Sequence, residues 1–159
     1  MKKERFIGID PGETGGVAVL YKGSDELCFY KYDLPFGKIF DRVKIDPNKD
    51  VLALEKVGAS PQMGVTSSFS FGRNYGTIIE AILDRNLNES CYVLLPQEWQ
   101  AHFGKFSKER DKKKQELFLL AKELFPQATF PKYIADAVLM AKFMKDRYGV
   151  KTIGNRKLK

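Results

Sequence analysis

The sequence predicts one mixed α/β domain built around a five-stranded sheet. Three observations carry that expectation. Short apolar segments of strand length alternate with segments whose apolar residues recur every three or four positions. Val51-Leu52-Ala53-Leu54 is a continuous apolar run closed by Glu55, the pattern of a central strand covered on both faces. A chain of 159 residues, 43% apolar and 13% aromatic, has the material to pack a core of single-domain size.

Taken in order, Arg5 to Asp10 and Gly15 to Lys22 read as two strands joined by the turn Asp-Pro-Gly-Glu-Thr-Gly-Gly. Glu26 to Asp33 is a third strand that completes a meander, and Pro35 breaks it ahead of a short helix over Phe36 to Val43. The central strand ends at Glu55, and Gly58 to Ser67 reads as a loop. Ser67 or Ser68 caps a helix to about Leu87, with Tyr75, Ile78, Ile79, Ile82 and Leu83 at helical spacing. Ser90 to Leu95 is the fifth strand, and Pro96 opens a helix carrying Trp99 and Phe103. A basic loop follows, then a helix from Lys112 to Phe125 ended by Pro126, and a last helix from Pro131 to about Tyr148. Residues 1–148 are expected to form the domain and 149–159 a basic tail.

Charge is unevenly spread. Residues 1–80 carry 11 basic and 11 acidic side chains, so the whole net charge of +7 falls in residues 81–159. Gly104 to Lys114 holds six positive and two negative charges, and Lys142 to Lys159 holds seven positive charges against Asp146. The first of these clusters has Phe103 and Phe106 among its lysines, a combination that fits phosphate-backbone binding. A membrane partner is disfavoured: no apolar run reaches the ~18–20 residues of a bilayer span, and no signal-peptide core precedes Asp10. The expected setting is cytoplasmic. Cys28 and Cys91 then read as reduced core thiols. The lone His102 excludes a Cys/His zinc cluster, so catalysis is expected to rest on carboxylates.

Three acids stand in apolar company. Asp10 ends Phe6-Ile7-Gly8-Ile9 and Glu55 ends the central run, and open α/β sheets place ligand sites beyond the carboxyl ends of their strands. Asp136 interrupts Ile134-Ala135-Asp136-Ala137-Val138-Leu139-Met140-Ala141, a helical segment apolar nearly all round. A carboxylate buried there requires a cation, a metal or several donors, and Lys132 one turn earlier offers an i,i+4 ion pair. Carboxylates without histidine or thiolate suit a hard cation such as Mg²⁺ or Mn²⁺, and two such ions clamp an in-line displacement at phosphorus.

Ile7-Gly8-Ile9-Asp10-Pro11-Gly12 with Thr14-Gly15-Gly16, followed by Ala53-Leu54-Glu55-Lys56-Val57, resembles the RuvC-like Holliday-junction resolvases of the RNase H superfamily. Ser68-Phe69-Ser70-Phe71-Gly72-Arg73-Asn74-Tyr75-Gly76, Pro96-Gln97-Glu98-Trp99-Gln100 and Ile134-Ala135-Asp136-Ala137-Val138-Leu139 resemble the phage-type branch, in family order over about residues 5–145. The resemblance implies an RNase H-like mixed five-stranded sheet flanked by helices. It implies a homodimer that makes paired, metal-dependent nicks in four-way and perhaps other branched DNA, leaving 5′-phosphate ends, in the cytoplasm of a phage-infected bacterium. Asp10, Glu55 and Asp136 would then be catalytic and hold Mg²⁺ or Mn²⁺, two ions per site. Lys105, Lys108, Arg110, Lys112, Lys113 and Lys114 would touch junction phosphates, joined by Arg73 and Asn74. Phe69, Phe71 and Tyr75 are candidates for base stacking.

One departure bears on mechanism. The family usually has a fourth carboxylate or histidine three or four residues before the last Asp, where this chain has Tyr133 and Lys132. A weakened second metal site, a substitute ligand from elsewhere and an altered cleavage specificity are each compatible with that. The same departure motivates a competing reading, a junction-binding protein with weak or no cleavage. A sugar-kinase or actin-like ATPase is disfavoured, because that fold needs two such domains around its nucleotide. Trp99 is expected to pack its helix on the sheet, and neither Trp99 nor His102 is assigned a role.

Overall fold

A computed structural model describes residues 3–32, 35–56, 58, 63–148 and 158. The strands are β1 (Arg5–Asp10), β2 (Gly16–Tyr21), β3 (Leu27–Lys31), β4 (Asp50–Glu55) and β5 (Cys91–Leu94). The helices are α1 (Phe36–Val43), α2 (Val65–Asp84), α3 (Pro96–Phe103), α4 (Arg110–Leu124) and α5 (Ala135–Arg147). The sheet runs in the order β3-β2-β1-β4-β5. β1, β2 and β3 form the expected antiparallel meander, and β1, β4 and β5 are parallel. The basic tail expected over 149–159 lies outside the described residues except for Leu158, whose amide donates to Cys91 O at 3.0 Å.

Strand alternation sorts the core into two layers. Phe6, Ala18, Leu20, Val51 and Ala53 meet α3, α4 and α5 on one face. Ile7, Ile9, Val17, Val19, Leu52 and Leu54 meet α1 and α2 on the other. The first half of α5, through Ala141, is apolar nearly all round because it lies across β1 and β2 with α3 and α4 at its flanks. At the far end of the sheet from the carboxyl strand ends, Arg5 Nε and Nη2 reach the fully buried Asp50 at 2.8 and 2.6 Å, a two-pronged bond that fits the Arg5–Asp50 register of β1 on β4.

Gly8 sets the height of α5 over the sheet. A Cβ at this position would lie 1.9 Å from Ala137 O, inside any contact distance, so only glycine lets the helix backbone rest on the strand. Gly8→Ala is therefore expected to push α5 off β1 and cost about 1–3 kcal/mol, read as a lowered urea midpoint with an unchanged slope.

Several boundaries differ from the sequence expectation, each for a local reason. α2 starts at Val65 behind an extended Gly64 with no side-chain cap, so Ser67 and Ser68 lie inside the helix. It ends at Asp84, because Asn86 turns through φ 53° and delivers Leu87 into the core under α1 and α2. α4 starts two residues early, which moves Arg110 and Asp111 from the expected loop onto its first turn, ahead of Lys112, Lys113 and Lys114. Pro131 opens a short 3₁₀ turn, Lys132–Ile134, ahead of α5. Phe103 and Phe106 do not present their rings among the lysines, since both pack against the core beneath α5. Both cysteines are free thiols, Cys91 buried and Cys28 half-buried. No helix among the described residues is long and apolar enough to cross a membrane.

Candidate active site

Ile9 pairs with Leu54, so Asp10 and Glu55 are neighbours at the carboxyl ends of two adjacent parallel strands. By alternation, Asp10 shares a face with Phe6 and Gly8, and Glu55 shares one with Val51 and Ala53; that is the face α5 covers. Asp136 stands in the first turn of α5, one residue before the carbonyl that closes on Gly8. The three carboxylates expected to act together border one cleft of about 530 Å³. Arg110 and Lys114 from α4 and Phe71 from α2 form other parts of its wall. A smaller adjoining hollow of about 190 Å³ adds Lys113 to the same wall.

Each acid is held differently. Asp10 is 8% exposed, and its Oδ1 accepts the Gly12 amide at 2.9 Å across the turn after β1. Its backbone carbonyl accepts the hydroxyl of Tyr32, which follows β3. Glu55 Oε2 accepts Trp99 Nε1 at 2.8 Å, and the indole is fully buried. Asp136 Oδ2 accepts Lys114 Nζ at 3.1 Å. The alternative i,i+4 pair with Lys132 does not form: Lys132 Nζ bonds Gln115 Oε1 at 2.9 Å instead.

The site is crowded with negative charge. Burial, then the charge of Asp136, pushes Asp10 up to about 6 against the opposing pull of the Gly12 amide and Lys114. Glu55 is pushed up to about 8 by burial and by Asp10 and Asp136, with Trp99 and Lys114 working the other way. Tyr32 is driven upward by burial and by Asp10 and Glu55, so it stays a neutral donor. Burial works against the Lys114 charge, but Asp136, Asp10 and Glu55 outweigh it and raise its proton affinity. Lys114 is thus a half-exposed cation whose charge is held by three acids, Asp136 in direct contact.

The remaining candidates fall into two groups. Arg110, Lys113, Lys114 and Phe71 join the carboxylates at the cleft. Arg73, Asn74, Lys105, Lys108 and Lys112 do not line it; Lys105 and Lys108 are exposed on the 104–109 segment and Lys112 on the first turn of α4. Phe69 is 73% exposed on α2, and Tyr75 packs against the core under α1 and α2. At the positions of the missing fourth ligand, Lys132 is turned to Gln115, and the Tyr133 ring lies under Lys31 at 5.8 Å. Glu13, in the turn after β1, does line the cleft.

Trp99 and Tyr32 are the site residues that sequence reasoning missed. Trp99 carried one usable signal, its place in the first turn after the strand that neighbours β4. For Tyr32 the sequence held none, since its contact depends on how β3 folds back beside β2. His102 is also tethered, 3.1 Å from Asp146, which is in turn paired with Lys142. That cluster ties α3 to α5 away from the cleft.

No protein-family model and no curated protein matches the chain. Solved structures do. A Thermus thermophilus RuvC in complex with Holliday junction substrate superposes with a TM-score of 0.59 at 17% identity, covering 90% of this chain and 95% of that one. A second T. thermophilus RuvC structure gives a TM-score of 0.56 at 19% identity, covering 89% and 95%. The mixed five-stranded sheet with flanking helices is therefore the RuvC, RNase H-like fold.

Proposed function

We propose that this chain, on the RuvC fold, is a structure-selective DNA endonuclease that resolves four-way junctions, and other branched DNA, by metal-dependent phosphodiester hydrolysis. The observation that carries the reading is the meeting of Asp10, Glu55 and Asp136 at one cleft whose wall continues into the basic start of α4. A fold alone does not establish a reaction. Here the site itself has the donor chemistry and the counter-charge that phosphoryl transfer on a polyanion requires.

A hard divalent cation suits these residues. All the donors are carboxylate oxygens, two of the acids hold their protons abnormally tightly through burial and then through neighbouring negative charge, and an ammonium already meets Asp136. Among the described residues no three acid, histidine or cysteine side chains yet stand in ligating geometry, so the carboxylates border the cleft without closing on one point. Asp10, Glu55 and Asp136 would hold Mg²⁺ or Mn²⁺, two ions by resemblance. Bound there, the metal supplies an activated water and charge stabilisation at phosphorus, leaving a 5′-phosphate.

The chain's own groups do the rest. Trp99 fixes one oxygen of Glu55, and the Gly12 amide fixes one oxygen of Asp10, leaving the other free to face the cleft. Arg110 and Lys113 on the cleft wall bind and orient the phosphates flanking the scissile bond, while Lys105, Lys108 and Lys112 extend the positive rim outward. Phe71 is placed to stack on a base splayed into the cleft. Residues 1–148 would act as the nuclease domain, with 149–159 as a basic tail, in the bacterial cytoplasm.

A second copy suits α2. Val65, Phe69, Gly72, Gly76, Ile79 and Leu83 follow each other at alternating spacings of four and three, the stripe along which two helices pack. Val65 is 89%, Phe69 73% and Leu83 45% exposed, and the space beyond Gly72 and Gly76 is open. A homodimer formed along this stripe would present two identical sites to a pseudo-two-fold junction. Phe69→Asp is expected to weaken self-association at least about tenfold, measured by sedimentation equilibrium.

The reading is tested with one end-labelled four-way junction incubated with Mg²⁺, Mn²⁺ or EDTA. Symmetric nicks that require metal are the expected result. A retarded band in EDTA without cleavage in either metal would favour a junction-binding protein, the reading to which Lys132, Tyr133 and the Lys114–Asp136 pair lend support. Equal affinity for linear and branched DNA would count against both.

A further inference from the structure

We propose that Lys114 is a displaceable counter-ion that competes with the divalent metal for Asp136, so that the metal-free enzyme is held with its third ligand occupied. The inference rests on the nuclease reading and concerns how that site is loaded. Its geometric basis is the contact of Lys114 Nζ with Asp136 Oδ2 at 3.1 Å, inside the cleft that Asp10 and Glu55 also border.

The placement is a product of packing. Asp136 has Lys132 four residues away on its own chain segment, yet Lys132 is engaged by Gln115. Gln115 stands next to Lys114 on α4, so the α4–α5 packing turns one lysine outward to the amide and the other inward to the acid. The Asp136 side chain is 12% exposed and would be costly to leave unpaired in a site with no metal. Lys114 is 48% exposed, so its ammonium can leave for solvent or for a DNA phosphate at modest cost.

The competition is direct. An ammonium donates to the same carboxylate oxygens that a hard cation must coordinate, and it repels the incoming charge. A divalent ion brings twice the charge and prevails once it is also held by Asp10 and Glu55. A polyanion in the cleft shifts the balance further, because its phosphates offer Lys114 an alternative partner. Metal loading at Asp136 and DNA binding are then positively linked, each favouring the state in which Lys114 has left the acid. Lys114 is a positioning residue in this account, acting through Asp136.

The experiment is a titration of Mn²⁺ into the metal-free, DNA-free protein, read by the EPR signal of free Mn²⁺ and by calorimetry. Lys114→Met removes the charge but keeps the length of the stem, and Lys114→Arg keeps the charge. The expected result is that Lys114→Met binds Mn²⁺ about tenfold more tightly than wild type, or takes up one more ion, while Lys114→Arg does not. Adding Asp136→Asn to Lys114→Met should erase that gain, which a general change in surface charge would not do. Equal affinity and stoichiometry in wild type and Lys114→Met overturns the proposal, and binding lost in Asp10→Asn would then leave the nuclease reading intact. No bound Mn²⁺ in either protein overturns both.

Discussion

Asp10→Asn is expected to reduce metal-dependent nicking of a four-way junction by about 10³-fold or more, while junction binding in EDTA persists. The size follows from the several kcal/mol of transition-state stabilisation that a metal centre supplies, at about 1.4 kcal/mol per tenfold in rate. Asparagine keeps an Oδ1 for the Gly12 amide at 2.9 Å, so the turn after β1 is retained. What it loses is the charge at the edge of the central strand. Cleavage and gel retardation measured on the same preparation separate the outcomes. Unchanged cleavage would remove Asp10 from the chemistry, and loss of binding together with cleavage would point to misfolding.

Glu55→Gln is expected to abolish cleavage as well, but to make the metal-free protein more stable at alkaline pH. In the unfolded chain this carboxyl titrates near 4.5, and in the fold burial, Asp10 and Asp136 push it up to about 8. The folded state therefore binds the extra proton between those values, and stability falls as pH rises from about 4.5 through about 8. Asp10, pushed up to about 6, adds a smaller loss in the lower part of that window. A glutamine keeps an acceptor for Trp99 Nε1 without an ionised oxygen. After allowance for partial solvent contact, the gain is on the order of 2 kcal/mol at pH 9, or about 4–8 °C in Tm. At pH 4 the two proteins should melt together. Thermal melts in EDTA at both values check the sign, and Mg²⁺ at pH 9 should raise the Tm of wild type more than that of the variant.

The same crowding gives metal uptake a pH dependence. Protons on Glu55 and Asp10 must leave before a cation is coordinated, so apparent Mn²⁺ affinity should rise between about pH 6 and 8. The fold tolerates neighbouring acids at two strand ends at the expense of stability, and sets an indole, an amide and an ammonium around them.

Much of this was legible in the sequence, and the limits are physical. Asp10 and Glu55 could be placed because each ends an apolar run, and strand periodicity depends only on a residue's own neighbours. Asp136 stood out because it is the one acid in Ile134 to Ala141, a segment otherwise apolar all round. The stacking candidates were less tractable. Phe69 and Phe71 are two apart, and on a helix that separation sends them to different faces, one to an open stripe and one to the cleft. No feature of the peptide itself says which face meets the site. The helix starts at Val65 and Arg110 lacked side-chain caps, so the usual signals of a first turn were missing there.

The sequence by itself determined the five strands, the alternation that sorts two core layers, the three acids and the basic stretch between Glu55 and Asp136. These are properties of short segments, set by backbone period and by which side chains avoid water. Only the tertiary structure decided which cation meets Asp136 and what holds Glu55. Lys114 reaches its acid across 22 residues, and Trp99 reaches Glu55 across 44. Contacts of that separation depend on how α3 and α4 pack beside α5, and α5 can lie against the sheet only because Gly8 has no Cβ. The local rule favoured Lys132 for Asp136, and packing gave that place to Lys114.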